Sequence, residues 1–132
     1  MVILFDAFNL SEDIFEVVFA TNQQKIVGKL LLNEMSKNKG VLTKPQMSAF
    51  ATKLHDGELI TEIDEPGYEG KKVRISYNKR QFYDRIVTPM KSMGLIDYDL
   101  YKKVYLISDK FNKELMKIGH MWVKEIKKLS LL

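Results

Sequence analysis

The side chains whose types and spacing offer chemistry are cations and two-point donors: Lys71, Lys72 and Arg74; Lys79, Arg80, Gln81 and Arg85; Lys102 and Lys103. Such groups hold anions and hydrogen-bonding edges rather than make or break bonds. Catalytic constellations are missing. His55 and His120 are far apart, and neither has a neighbouring run of ligands at metal-site spacing. His55-Asp56 reads as a helix C-terminal cap, and His120, close to Trp122, as a structural or interface residue. There is no cysteine, hence no thiol nucleophile, zinc-thiolate site or disulfide framework. No Gly-rich phosphate loop, nucleophile elbow or paired-carboxylate motif is present. The expectation is a protein that is not an enzyme and carries no metal or cofactor.

Charge is segregated along the chain. Residues 1–70 hold six Lys/Arg against eleven Asp/Glu, a net −5, while residues 71–132 hold fifteen against six, a net +9. A basic half suits an anionic partner, nucleic acid first and membrane surface second. The opening "MVILFDAFNL" is too short, and interrupted too early by Asp6, to be a signal peptide or a membrane span. With the lack of cysteine this gives the expectation of a soluble, cytoplasmic protein with no membrane partner. At 132 residues the chain is expected to form a single domain, 1–132.

The elements that must position these groups are legible from caps and periodicity. Ser11 followed by "EDIFEVVF" predicts a short capped helix with acids in its first turn. "TNQQ" at 21–24 is a capping box ahead of the stripe Ile26, Val27, Leu30, Leu31 and Met35, which Lys37 to Gly40 end. Val41-Leu42 predicts a very short strand. Thr43 and Gln46 form a second box, with Pro45 tolerated in the first turn, opening a helix of about 44–54 with Met47, Phe50, Ala51 and Leu54 on one side. Leu59, Ile60 and Ile63, the turn Asp-Glu-Pro-Gly, and Val73, Ile75 and Tyr77 alternating with Lys72, Arg74 and Ser76 predict a hairpin over 58–77 with a basic return strand. Asn78 and Gln81 make a third box. The helix after it seats Phe82, Ile86, Met90 and Met93 on the domain and is expected to kink at Pro89. Residues 95–98 and 104–107 flank "DLYKK" as a second hairpin. Ser108 is expected to cap a last helix to about Leu129.

The order helix, short strand, helix, helix, hairpin resembles the winged-helix variant of the helix-turn-helix family of DNA-binding proteins, of the archaeal and bacterial regulator type. "FATNQQKIVGKLLLNEM" looks like the family's first helix, and "RQFYDRIVTPMKSMGLIDYDLYKKVYLIS" like its recognition helix, Gly-Leu-Ile exit and wing. The resemblance covers about residues 15–107. It implies a mainly α fold with a small β component (α+β): a winged helix-turn-helix with an inserted hairpin, 58–77, between helices two and three, and a C-terminal helix, 108–130. The insertion departs from the family's tight turn and supplies a second basic finger. The resemblance implies double-stranded DNA as partner. Arg80, Gln81, Asp84, Arg85 and Thr88 would face a major groove, where Arg and Gln can make two-point hydrogen bonds to guanine and adenine. Lys79 at the helix N-terminus would favour a phosphate. Tyr101, Lys102 and Lys103 of the wing would lie beside the backbone or in the minor groove, and Lys71, Lys72 and Arg74 on the inserted finger would add further contacts. The alternative is a winged-helix protein-interaction module without direct DNA binding.

In the last helix Phe111, Leu115, Ile118, Trp122, Ile126 and Leu129 fall within about 80° of one another at about 100° per residue, with Lys113, Lys117, Lys124, Lys127 and Lys128 behind them. Winged-helix regulators often dimerise through a terminal helix, so this stripe is the expected homodimer interface. The competing expectation is that it packs back on its own chain. Target sequence, activator or repressor role, and any small-molecule effector leave no trace in the residues.

Overall fold

The computed structural model describes residues 6–62 and 71–131. Ile63 and the Asp-Glu-Pro-Gly turn of the first predicted hairpin lie outside them. The chain is α+β, mostly helical. It runs α1 (Ile14–Val18), α2 (Asn22–Lys37), β1 (Val41–Thr43), α3 (Lys44–His55), β2 (Leu59–Glu62), β3 (Lys72–Ile75), α4 (Lys79–Phe82), a π-helical turn (Tyr83–Val87), α5 (Thr88–Met93), β4 (Ile96–Asp99), β5 (Val104–Ile107) and α6 (Lys110–Lys128).

Local signals start most of these elements where expected. Thr43 accepts from Gln46 N–H while the Gln46 side chain accepts from Thr43 N–H, a complete capping box. At Thr21 and Asn78 only the side-chain half is made, each accepting from the N–H three residues on. The first helix begins later than Ser11. Asp13 is its cap, and the Ser11 hydroxyl instead donates to Glu16. Ser108 does receive the Lys110 N–H at the start of α6.

Two antiparallel sheets result. β1 pairs β5 and β5 pairs β4, giving the order β1-β5-β4, with Leu42 opposite Tyr105 and Tyr98 opposite Tyr105. β2 and β3 form a separate ribbon that pairs Leu59 with Ile75 and Ile60 with Arg74. Alternation therefore buries Ile75 and leaves Ile60, Lys72 and Arg74 exposed.

The core lies where α2, α3 and the α4–α5 helix meet: Val27, Leu31 and Met35; Met47, Phe50, Ala51 and Leu54; Phe82, Ile86, Val87 and Met90. Phe50 and Phe82 meet with ring centroids 5.6 Å apart. Phe82 is wholly buried, and truncating it to Ala costs about 3–5 kcal/mol by lost transfer and the cavity left behind.

The Pro89 kink takes a specific form. Proline has no N–H to give the preceding turn, and its ring presses on the carbonyl four residues back. The chain widens that turn instead of breaking: Thr88 N–H bonds Tyr83 O, five residues back. The additional residue rotates the later part of the helix. Val87 enters the core, while Met93, expected inside, is only half-buried.

α1 is strapped across α2. Lys25 reaches Glu16 at 3.3 Å and Lys29 reaches Asp13 at 2.9 Å. Phe19 lies so close to Gly28 that a Cβ there would sit 2.5 Å from its ring. α6 is the opposite case: no residue of it is buried, and every side chain from Asn112 to Glu125 is exposed. The expectation that it packs back on its own chain is not met.

Candidate nucleic-acid interface

The helix of α4, the π turn and α5 presents two unlike sides because its apolar positions recur at helical spacing. Phe82, Ile86, Val87 and Met90 are buried, whereas Arg80, Gln81, Asp84, Arg85 and Thr88 are all exposed. The five side chains singled out from the sequence thus share one solvent-facing side. Arg80 and Asp84 approach to 3.9 Å, four residues apart and almost fully in water. Such a pair is worth only about 0.2–0.5 kcal/mol, too little to keep Arg80 from a better acceptor.

The start of this helix is fixed by residues that sequence reasoning assigned elsewhere or passed over. His55-Asp56 closes α3 as expected, with Asp56 as the C-cap, and His55 in addition accepts the Lys79 backbone N–H on Nδ1 at 3.0 Å, so it also serves the start of the following helix. The Lys79 ammonium turns back and donates to Ser48 at 3.1 Å and Thr52 at 2.9 Å on α3. Two of its three donors are engaged within the chain. Lys79 therefore positions α4 on α3, with one donor left for a phosphate. Burial raises the pKa of the nearby Tyr83 hydroxyl, with Ser48 opposing the shift. Polar residues at 48, 52 and 55 on a helix opposite a lysine were the only signal of this arrangement. His120, by contrast, is exposed, and its imidazole makes no hydrogen bond among the described residues.

The β4–β5 hairpin carries the second basic group. Asp99 accepts from the N–H groups of Tyr101 and Lys102 and shapes the tip, while Lys103 takes a positive φ of 55°. Tyr101 is 98% exposed and Leu100 77% exposed, with Lys102 and Lys103 also in solvent. An apolar residue inside a charged turn was the mark by which Leu100 could have been added to the candidates. The tip is tied to the body of the domain by Lys44 N–H on Lys103 O, and the two strands are joined by the edge-on contact of Tyr98 with Tyr105 at 4.7 Å.

Lys71, Lys72 and Arg74 form the third group, exposed along the β3 side of the ribbon. Among the described residues no hydrogen bond or ion pair joins this group, the exposed side of α4 and the β4–β5 tip to one another. They are three separate cationic outposts on one core. Among the described residues no three His, Asp or Glu side chains gather to hold a metal ion, and no helix is long and apolar enough to cross a membrane.

Compared with protein-family models, curated proteins and solved structures, the chain matches none.

Proposed function

We propose that this chain is a winged-helix protein that binds double-stranded DNA as a homodimer and acts in the cytoplasm as a sequence-specific transcriptional regulator. One observation carries the reading: a helix sunk in the core on one side leaves Arg80, Gln81, Asp84, Arg85 and Thr88 all open on the other. A helix so mounted is what a major groove about 12 Å wide admits, and Arg and Gln are the residues that read purine edges there. The run α2–β1–α3–α4, with β5 pairing β1 and hairpin β4–β5 following, supports the winged-helix assignment. The β2–β3 ribbon is then an insertion before the recognition helix, and the tips at Lys102-Lys103 and Lys71-Lys72 would track phosphates. The uncovered α6 supports the homodimer, because a continuous apolar stripe rarely stays in water.

The same exposed stripe favours the second reading, a module that holds a different protein through α6 and does not touch DNA. Selection from a random duplex library separates the two. The first reading expects an enriched site, and Arg80→Ala or Gln81→Ala should each relax preference at one position by about 1–3 kcal/mol. No enrichment, or unchanged preference in both variants, contradicts the assigned role of this helix.

A further inference from the structure

α6 is rigidly planted and then left bare. Phe111 N–H bonds Gly94 O, Ser108 N–H bonds Leu95 O, and Lys110 pairs with Asp97 at 2.6 Å. Beyond that foot Ile118, Met121 and Trp122 are 57–66% exposed, and at the tip Leu129 and Leu131 are 67% and 71% exposed. Most of a helix's stability in a protein comes from packing its apolar face, so the stripe calls for a cover.

An apolar cleft of about 170 Å³ opens at the foot of α6, lined by Ile14, Phe15, Val18, Leu95, Ile107 and Ser108 among others. Its lining is almost wholly apolar, so it suits one or two branched apolar side chains. The segment leading into α1 is acidic in sequence, although Asp13 and Glu16 are paired with Lys29 and Lys25, which leaves Asp6 and Glu12 as its uncompensated acids among the described residues. No Lys or Arg precedes Lys25, whereas Asp6, Glu12, Asp13 and Glu16 do. The tip of α6 is the reverse, with Lys124, Lys127 and Lys128 against Glu125 alone.

We infer that α6 pairs antiparallel with α6 of a second copy, about a two-fold axis near Gly119 and His120, so that Leu129 and Leu131 of each helix cover the cleft at the foot of the other. This rests on the homodimer reading and adds its geometry. The stripe is nearly the same read from either end: Phe111 falls opposite Leu129, Leu115 opposite Ile126, and Ile118 opposite Trp122. Gly119 then lies under the partner's indole. In the single chain a Cβ at Gly119 meets nothing within 4 Å, so the domain itself gives no reason for a helix-weakening glycine there. Opposite a tryptophan, the missing side chain is the room the ring needs. Antiparallel pairing also sets the lysine-rich tip against the acidic segment, whereas parallel pairing would set tip against tip and leave both clefts empty. Glu114 and Glu125 come near each other across the pair, but both are exposed and each has its own Lys117 or Lys128 at 3.1 Å.

The lack of native cysteine makes the test clean. Leu115→Cys and Ile126→Cys proteins are prepared separately, mixed and oxidised. The expected result is a covalent heterodimer in the mixture and little covalent dimer from either variant alone. Gly119→Leu should weaken self-association at least tenfold by sedimentation while leaving the domain folded, with an unchanged circular-dichroism spectrum. A dimer in which Leu115→Cys cross-links to itself would overturn the antiparallel geometry while keeping the homodimer. A wild-type protein that sediments as a monomer at high concentration would overturn both, as would one that stays monomeric and binds anionic phospholipid vesicles through α6.

Discussion

Substituting Gly94 by Ala tests whether the foot of α6 is as tightly set as its geometry indicates. Gly94 ends α5 at φ +82°, a left-handed conformation that costs an L-residue about 1–2 kcal/mol. Its new Cβ would lie 2.8 Å from Lys110 Cβ and 2.9 Å from the Phe111 nitrogen, both on the first turn of α6. Relieving that overlap means moving α6 or the β4 strand, at about 1–3 kcal/mol for forced repacking. The narrower unfolded ensemble of Ala returns about 0.4–1 kcal/mol. The net loss is about 2–4 kcal/mol, which at a mid-range urea slope of about 2 kcal/mol/M moves the midpoint down by roughly 1–2 M. Gly40 is the matched control. It has nearly the same φ, +83°, but its nearest neighbour is Ile107 Cδ1 at 3.8 Å, ordinary contact distance. Gly40→Ala should therefore cost only the conformational part, about 1 kcal/mol. Equal midpoint shifts for the two variants, measured by circular dichroism in urea, would refute the claim that Gly94 is a packing joint for α6.

Changing Lys102 and Lys103 together to Gln should weaken binding to every duplex alike and reduce the salt slope by up to about two, read by fluorescence anisotropy; an unchanged slope would remove the β4–β5 tip from the interface. Acid should loosen both ends of the domain. The Lys29 ammonium and the Phe15 N–H hold Asp13 below its usual pKa, the Ser11 hydroxyl and Lys25 do so for Glu16, and Lys110 and the Tyr98 N–H for Asp97. Groups with lowered folded-state pKa values stabilise above the ordinary carboxylate range, near about 4, and lose that contribution as pH falls through the lowered values. The thermal midpoint should accordingly fall below about pH 4 in wild type, and less so in a Lys29→Met, Lys110→Met variant.

Much of this architecture was legible because it is written in local signals. Thr21, Thr43 and Asn78 mark helix starts, Gly94 marks the end of α5, and period-two alternation at Val73 and Ile75 marks the ribbon. The outward side of α4 came from the periodicity of Phe82, Ile86 and Met90. What stayed hidden depends on contacts distant in sequence. The turn of Lys79 toward Ser48 and Thr52 spans 31 and 27 residues, and the capping role of His55 spans 24. The π turn was hidden for another reason: Pro89 announces a disturbed ladder but does not say whether the helix bends or widens, and with that choice Val87 is buried and Met93 only half-buried. The apolar stripe of α6 was plain in the sequence. Only the fold shows that its own domain leaves that stripe uncovered.

DNA binding is the central claim, and salt dependence tests it most directly. Lys71, Lys72, Arg74, Lys102 and Lys103 are all exposed. At about −0.9 per phosphate neutralised, they predict a slope of log K against log salt of about −4.5 per protomer and about −9 for a dimer. The measurement is anisotropy of a labelled duplex titrated with wild-type protein between about 50 and 200 mM monovalent salt. A steep linear loss of affinity within that range is the predicted result. No binding at the lowest salt, or an affinity that salt leaves unchanged, would contradict the central claim.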